Sequence, residues 1–247
     1  MVDVLKKYKF SRYSREGIQE APEEILVESS LELWLEDMML SKFSCSPGLQ
    51  EQLAIGYLIT SGLITRIEDV ELLSIESGSI IVSSQNKTEL IRKFLHLQTQ
   101  NTPLLYPIAD SKINVHLSDI TESLAQLQKQ QSLHKRTGGA HGALLFSPES
   151  GENLIVEDIG RLNSMDKIIG LALGKEWSLT HSVIIVTGRL TSEMVIKAVN
   201  ARIPMLCSLA IATDKGIAIA EENNLTLVGS LKPVSFWVYN QGAVKLQ

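Results

Sequence analysis

Val183-Ile184-Ile185-Val186 is the stretch that most limits what this chain can become. Four consecutive apolar residues, all β-branched, fit a strand covered on both faces; a strand wet on one side would alternate instead. The run ends in Thr187-Gly188-Arg189, after which Met194, Val195, Ala198 and Val199 follow at helical spacing. The same rhythm extends to either side. Ala143 to Phe146 reads as a strand, turned by Pro148, Ser150 and Gly151 into a second strand ending at Val156. Met165, Ile168, Ile169, Ala172 and Leu173 then mark one helix face. Ile203 to Leu209 is a strand, a helix runs from near Thr213 to Glu222, Thr226 to Val228 is strand again, and Phe236 to Tyr239 is an edge strand. Strands alternating with helices of about ten residues predict βα units, a largely parallel sheet and helices on both of its faces. The fold class is therefore α/β, with a three-layer α/β/α domain over residues 135–247.

The first half has a different texture. Residues 1–20 are polar and patternless, as in a loose lead-in. From Glu24 to Cys45 the alternation of Ile25, Val27, Leu31, Leu33 and Leu35, then Met39, Leu40 and Phe43, predicts two or three antiparallel strands. Ser46-Pro47 places a helix N-cap before a proline suited to the first helical position, and Leu49, Leu53, Tyr57 and Leu58 form the buried stripe up to Gly62. Two strands around Ser77-Gly78-Ser79 follow between Ile67 and Ser84. Asn86 with Glu89 opens another helix, which carries Leu90, Phe94 and Leu97. Residues 98–117 carry no clear pattern, and Asp119 caps a helix running to about Leu133. Together these predict a smaller α+β domain over 21–134.

Composition narrows the function classes. No apolar run approaches the roughly 18 residues of a membrane span, and the opening residues lack a signal-peptide core. A cytoplasmic protein without a membrane partner is expected. A net charge of −5 argues against a nucleic-acid backbone as partner. Cys45 and Cys207 lack the paired spacing of a metal site and read as buried thiols in a reducing compartment. Cys45 stands just ahead of the expected Ser46 cap, where a helix N-terminus would lower its pKa, and is the one catalytic candidate.

The chemistry concentrates in three loops of the second half. Between the strand ending at Val156 and its helix lie Glu157, Asp158, Arg161, Asn163, Asp166 and Lys167, with Gly160 allowing a tight turn. Thr137-Gly138-Gly139 leads to His141, and Thr187-Gly188-Arg189 leads to Glu193. Glycines let backbone N–H groups approach a ligand, and arginines bind phosphate or carboxylate bidentately. Asp158, Asp166 and Glu193 either accept hydrogen bonds from a base or sugar or pair with Arg161 and Arg189. His141 is a hydrogen-bonding or proton-shuttling candidate. If the loops face one crevice they describe a nucleotide-like ligand; the alternative is three separate capped turns. No Walker lysine and no Gly-x-Gly-x-x-Gly is present.

The stretch Val156 to Gly170, Val-Glu-Asp-Ile-Gly-Arg-Leu-Asn-Ser-Met-Asp-Lys-Ile-Ile-Gly, resembles the signature of the formate dehydrogenase accessory sulfurtransferases, the FdhD family. Thr-Gly-Gly-Ala-His at 137–141, Thr-Gly-Arg-Leu-Thr-Ser-Glu-Met at 187–194, Ser46-Pro47 with Leu-Ala-Ile-Gly-Tyr-Leu at 53–58, and Leu-Thr-Leu-Val-Gly-Ser-Leu-Lys-Pro at 225–233 are similar to that family's segments in the same order. The resemblance implies a cytidine deaminase-like fold and a homodimer. It implies transfer of sulfur from a cysteine desulfurase to the molybdenum bis-pterin guanine dinucleotide cofactor before delivery to formate dehydrogenase. It also implies that the guanine dinucleotide is held partly by Ser230, Leu231, Lys232, Pro233, Val234 and Ser235, with Lys232 where the family usually has arginine.

Three departures accompany it. The family's Cys-x-x-Cys loop corresponds here to Ser83-Ser84-Gln85-Asn86-Lys87-Thr88, without cysteine. Leu162 replaces a histidine and Ala212 a proline. Persulfide transfer needs a thiolate, which serine cannot supply. A zinc site of the deaminase type is not expected, because Gly142-Ala143 follows His141 where a glutamate would be needed and no Cys-x-x-Cys completes the set. A non-catalytic paralogue that carries the molybdenum cofactor or a guanine nucleotide is the alternative to a sulfur carrier.

Overall fold

The structure, a computed structural model, describes residues 3–76, 78–100, 102–111 and 113–247. The chain runs β1 (Leu5–Ser14), β2 (Gly17–Leu26), β3 (Ser29–Leu35), β4 (Met38–Cys45), α1 (Gln50–Thr60), β5 (Glu71–Glu76), β6 (Ser79–Ser83), α2 (Lys87–Gln100), α3 (Leu117–Gln130) and α4 (Ser132–Thr137). It continues with β7 (His141–Phe146), β8 (Asn153–Asp158), α5 (Arg161–Leu173), β9 (Val183–Val186), α6 (Ser192–Asn200), β10 (Met205–Ser208), α7 (Asp214–Glu222), β11 (Thr226–Lys232) and β12 (Ser235–Asn240). Ser77, in the expected turn between β5 and β6, lies outside the described residues.

Strands β7 to β12 form one six-stranded sheet in the order β12-β11-β10-β9-β7-β8. All four residues of β9 are buried, as an unbroken apolar run requires. Alternate residues serve two cores. Ile184 and Val186 point with Leu145 and Leu206 toward the side holding Met165, Ile168, Met194 and Val195 of α5 and α6. Val183 and Ile185 point with Leu144 and Cys207 toward Ile120, Leu124 and Leu127 of α3. Helices thus cover both faces.

The sheet is less parallel than expected. Only the pairings β9–β10 and β10–β11 are parallel; β8 pairs antiparallel with β7, β7 with β9, and β12 with β11. The reason lies in the connections. The turns after Phe146 and Lys232 are too short for a crossover, which takes a dozen or more residues, so they can only make hairpins.

A second, four-stranded sheet, β4-β3-β6-β5, shares the first core. Leu31, Leu33 and Leu35 of β3 join Leu53 and Leu58 of α1, which in turn lies against α5. Helices α1 and α5 touch backbone to backbone. A Cβ on Gly56 would fall 1.8 Å from the Asp166 carbonyl oxygen, and one on Gly170 would fall 1.9 Å from that of Gln52.

Three local expectations are corrected. Residues 5–26 form an exposed hairpin, β1 with β2, where a patternless lead-in was expected over 1–20. With both faces wet, no period-two burial pattern was selected. Helix α1 starts at Gln50 after Leu49 in the left-handed region (φ 53°), not at Ser46, whose polar groups are engaged elsewhere. Asp119 sits inside the first turn of α3, where its carboxylate accepts from the His116 amide (2.8 Å), and the helix ends at Gln130.

Gly170→Ala is expected to cost ~3 kcal/mol or to prevent folding, because backbone atoms cannot yield to the added methyl. Gly174→Ala, whose Cβ would meet nothing closer than 3.5 Å, is expected to be neutral. Urea denaturation of both variants tests the contrast; equal stabilities would refute the close crossing.

Candidate functional site

The parallel strands β9, β10 and β11 end on one edge of the sheet, and β7 starts there because it runs the other way. Edges of this kind present ligand-binding loops in open α/β sheets. His141, the first residue of β7, places Nδ1 3.4 Å from Thr187 Oγ1. The Gly142 amide donates to the same hydroxyl (3.0 Å), and the Thr187 amide donates back to the Gly142 carbonyl (3.1 Å). Gly188 leaves room for Arg161, since a Cβ there would fall 2.9 Å from Arg161 Cβ. Ser208 Oγ donates to the Gly188 carbonyl (2.6 Å) and accepts from the Ala210 amide (3.0 Å), while the Ser230 amide donates to the Ala210 carbonyl (2.8 Å). One hydrogen-bonded chain therefore links the 187–189 loop to Ser230.

Arg161 is the centre of this edge. Its guanidinium reaches Glu193 in the first turn of α6 (3.6 Å), while its Nε is buried without a partner among the described residues. Thr191, the N-cap position of α6, likewise holds a buried hydroxyl without a partner. Arg189 is exposed. Burial, then the Arg161 cation, holds the His141 imidazole below its ordinary pKa, so His141 is neutral at pH 7.

The other sequence candidates divide. Asp158, Asp166 and Lys167 are no more than 1% exposed, and they hold the layers together instead of facing a ligand. The Asp158 carboxylate accepts from the amides of Ser46 (3.0 Å) and Gly160 (2.8 Å) and from Asn163 Nδ2 (2.9 Å), and pairs with Lys167 at 2.7 Å. Lys167 also donates to the Ser46 carbonyl (2.8 Å), and Ser46 Oγ accepts from the Ile159 amide (3.1 Å). Asp166 receives both Lys197 (2.8 Å) and Thr60 Oγ1 (2.6 Å); burial pushes its carboxyl up against the pull of that lysine. Among the described residues neither aspartate pairs with an arginine. Gly160 has an ordinary φ of −101° and provides space, because a Cβ would crowd Asn163 Nδ2 at 2.7 Å.

Glu157 turns to the other face, where its carboxylate accepts from the amides of Leu133 (2.9 Å) and His134 (2.8 Å) at the start of α4. Gly138 ends α4 in the left-handed conformation (φ 67°), with Thr137 Oγ1 donating to the Leu133 carbonyl (2.7 Å) and accepting from the Gly139 amide (3.1 Å). That loop is a helix C-cap flanking the edge. In the late segment, Leu231 is buried on the α3 side, and Lys232, Pro233, Val234 and Ser235 form the exposed turn between β11 and β12 at the same edge.

Sequence reasoning missed Ser46, Thr60 and Lys197 as the buried partners of the aspartates, and Ser208 as the link across the edge. Ser208 had a signal, a lone hydroxyl closing an apolar strand. Lys197 shared a helix with Val195, Ala198 and Val199, and only three-dimensional pairing shows that it points inward.

Comparison with known proteins now bears on this geometry. Residues 26–244 match the FdhD/NarQ family. The chain belongs to that family. A sulfur carrier protein FdhD from Sulfurisphaera tokodaii is 33% identical over 202 residues, covering 78% of this chain and 79% of the relative. One from Wolinella succinogenes is 30% identical over 259 residues, covering 98% and 90%. The crystal structure of a protein described as a formate dehydrogenase accessory protein from Desulfotalea psychrophila superposes with a TM-score of 0.81 at 25% identity, covering 96% of this chain and 97% of that one.

Within an FdhD/NarQ chain the thiols are the next question. Cys207 lies within β10 in the α3-side core, and burial alone pushes its thiol far above the ordinary range. Cys45, also fully buried, ends β4; burial raises its pKa, and the nearby Lys167 only partly opposes this. The expected lowering by a helix N-terminus is absent because α1 starts five residues later. The Ser83–Thr88 segment runs from the end of β6 through a short turn into α2, with Ser84 Oγ donating to the Asp69 carbonyl (2.7 Å) and accepting from the Asn86 amide (3.2 Å).

His141 provides a pH test. Folding holds it neutral, so the unfolded chain binds the proton first, at a pKa of about 6.5. Its contribution to stability is complete above that pH and declines as pH falls toward the folded pKa. NMR titration should find His141 below the ordinary value, and Arg161→Ala should raise it; an unchanged value in the variant would separate the two groups.

Proposed function

We propose that this chain is a formate dehydrogenase accessory protein whose sheet edge binds the guanine dinucleotide end of molybdenum bis-pterin guanine dinucleotide, as cargo destined for formate dehydrogenase. The observation that carries this reading is Arg161 Nε, a buried donor without a partner among the described residues, at the meeting point of the 158–163, 187–191 and 208–210 loops. A buried donor left unpaired costs about 1–3 kcal/mol, which an anionic ligand would recover. Arg189, the unpartnered Thr191 hydroxyl and the exposed Lys232 turn supply further groups suited to phosphate and a polar base. Neutral His141 offers one donor and one acceptor beside them. The proposal includes a cytidine deaminase-like fold for the second half, a cytoplasmic setting and a homodimer.

Sulfur carriage is the second half of the family reading, and the relatives' names support it. A persulfide forms on an accessible thiolate. Because both thiols are buried and pushed toward the neutral form, the geometry favours a cofactor carrier that does not hold sulfur on its own cysteines. Sulfur from a cysteine desulfurase then reaches the bound cofactor by a partner's thiol.

Calorimetry with GDP as the probe should give saturable binding, weakened at least about tenfold by Arg161→Ala and by Arg189→Ala. No binding at millimolar GDP would overturn the cofactor site. Incubation with a cysteine desulfurase and cysteine, followed by mass mapping, should leave Cys45 and Cys207 without added sulfur. A persulfide on Cys45 would restore the sulfur-carrier reading.

A further inference from the structure

The opposite edge of the sheet, where β9 and β10 begin, carries a second concave surface. Residues 106–111, part of the stretch whose sequence shows no pattern, cross this edge and are pinned to it. The Ile108 amide donates to the Asn223 carbonyl (3.2 Å) and the Ser111 amide to the Ala243 carbonyl (3.4 Å). Between this segment, His181 ahead of β9, and Arg202 and Pro204 ahead of β10 lies a cavity of about 530 Å³. Sites for small organic ligands have volumes of roughly 300–1,000 Å³.

Arg202 stands at a position that a side chain occupies at a cost. Helix α6 ends in a paired closure, with the Ile203 amide donating to the Ala198 carbonyl (3.1 Å) and the Arg202 amide to the Val199 carbonyl (2.9 Å). The residue at the second of these amides takes the left-handed conformation and is usually glycine. Here it is an arginine, at φ 56°. Its guanidinium lies over the Tyr106 ring, 5.9 Å from the centroid. Tyr106 is itself fixed, because its hydroxyl donates to the Gly62 carbonyl (3.1 Å). The cation is thus held at the cavity wall on a rigid aromatic platform.

Asp110 lines the same cavity. Asn224 Nδ2 donates to its carboxylate (3.1 Å) and to the Ile108 carbonyl (3.2 Å), which fixes its place. Among the described residues neither Arg202 nor Asp110 forms an ion pair, with the other or with any other group. Opposite charges held apart in one cavity select for a ligand that carries both. A simple anion would meet the Asp110 carboxylate, and a simple cation would meet Arg202. Tyr106, Ile108 and Pro204 add an apolar wall between them.

We infer that this cavity binds a free α-amino acid with an apolar side chain, its carboxylate on Arg202 and its ammonium on Asp110. The site is independent of the cofactor reading, since it lies at the other end of the parallel strands.

Calorimetry of the full chain with L-leucine tests this. Leucine should bind saturably, and Arg202→Gly should weaken it at least about tenfold. The melting temperature of that variant should be kept or raised, because glycine suits the left-handed position. Its affinity for GDP should equal that of the wild type. Asp110→Asn should also weaken leucine at least about tenfold. Isocaproate and isoamylamine, which each carry one of leucine's two charges on the same apolar body, should bind the wild type at least about tenfold more weakly than leucine. No binding at millimolar leucine overturns the site. Leucine binding that survives both substitutions overturns its placement in this cavity, and isocaproate binding as tightly as leucine overturns the amino-acid assignment.

Discussion

The carboxylate of Asp158 lies at the junction on which the rest of the structure depends. It ends β8, sits where β4 leads toward α1, and carries donors from both sides: the Ser46 amide from one, and Gly160, Asn163 and Lys167 from the other. Lys167 returns to the Ser46 carbonyl, so the pair closes a buried loop between two distant parts of the chain. Burying a carboxylate and an ammonium this far from water is costly unless they are paired and hydrogen-bonded; here the carboxylate accepts from four donors and the ammonium finds two acceptors. Beside Lys167 in α5, Asp166 and Lys197 repeat the device with Thr60 of α1. Next to these pairs, Gly56 and Gly170 let the helices meet backbone to backbone. The start of α5, and with it Arg161, is thereby set at a fixed height above the sheet edge.

This arrangement changes the meaning of the densest charged stretch in the sequence. A loop rich in both charge signs between a strand and a helix has two physical explanations, solvent-facing recognition and buried pairing, and residue type alone does not separate them. Asp158, Asp166 and Lys167 take the second course, while Arg161 and Asn163 remain at the edge. The apolar rhythm was far more legible. Unbroken runs such as 183–186 and helical spacings such as 194–199 state their burial directly, and those elements stand where the pattern put them. Strand direction was not legible from rhythm alone; the short turns after Phe146 and Lys232 decide it. The β1–β2 hairpin was hidden for a related reason, since its polar residues face water on both sides and leave no periodic trace.

The site and the thiols differ in what they offer a ligand. Arg161, Thr191, Arg189 and His141 gather on one edge with unspent hydrogen-bonding capacity, which suits a large anionic cargo. The two cysteines are buried, at the end of β4 and within β10, where burial favours the neutral thiol. Under the proposed reading such a chain would hold a nucleotide-bearing cofactor, and it has no exposed thiol on which to carry sulfur among its described residues.

Hydrogen–deuterium exchange in the presence and absence of saturating GDP addresses the central claim, that the carboxyl edge of the six-stranded sheet is the cargo site. The account predicts slowed exchange confined to residues 158–163, 187–193, 208–213 and 230–235, with the 83–88 turn unchanged. Protection at the 83–88 turn, or no change along the edge at full occupancy, would contradict it.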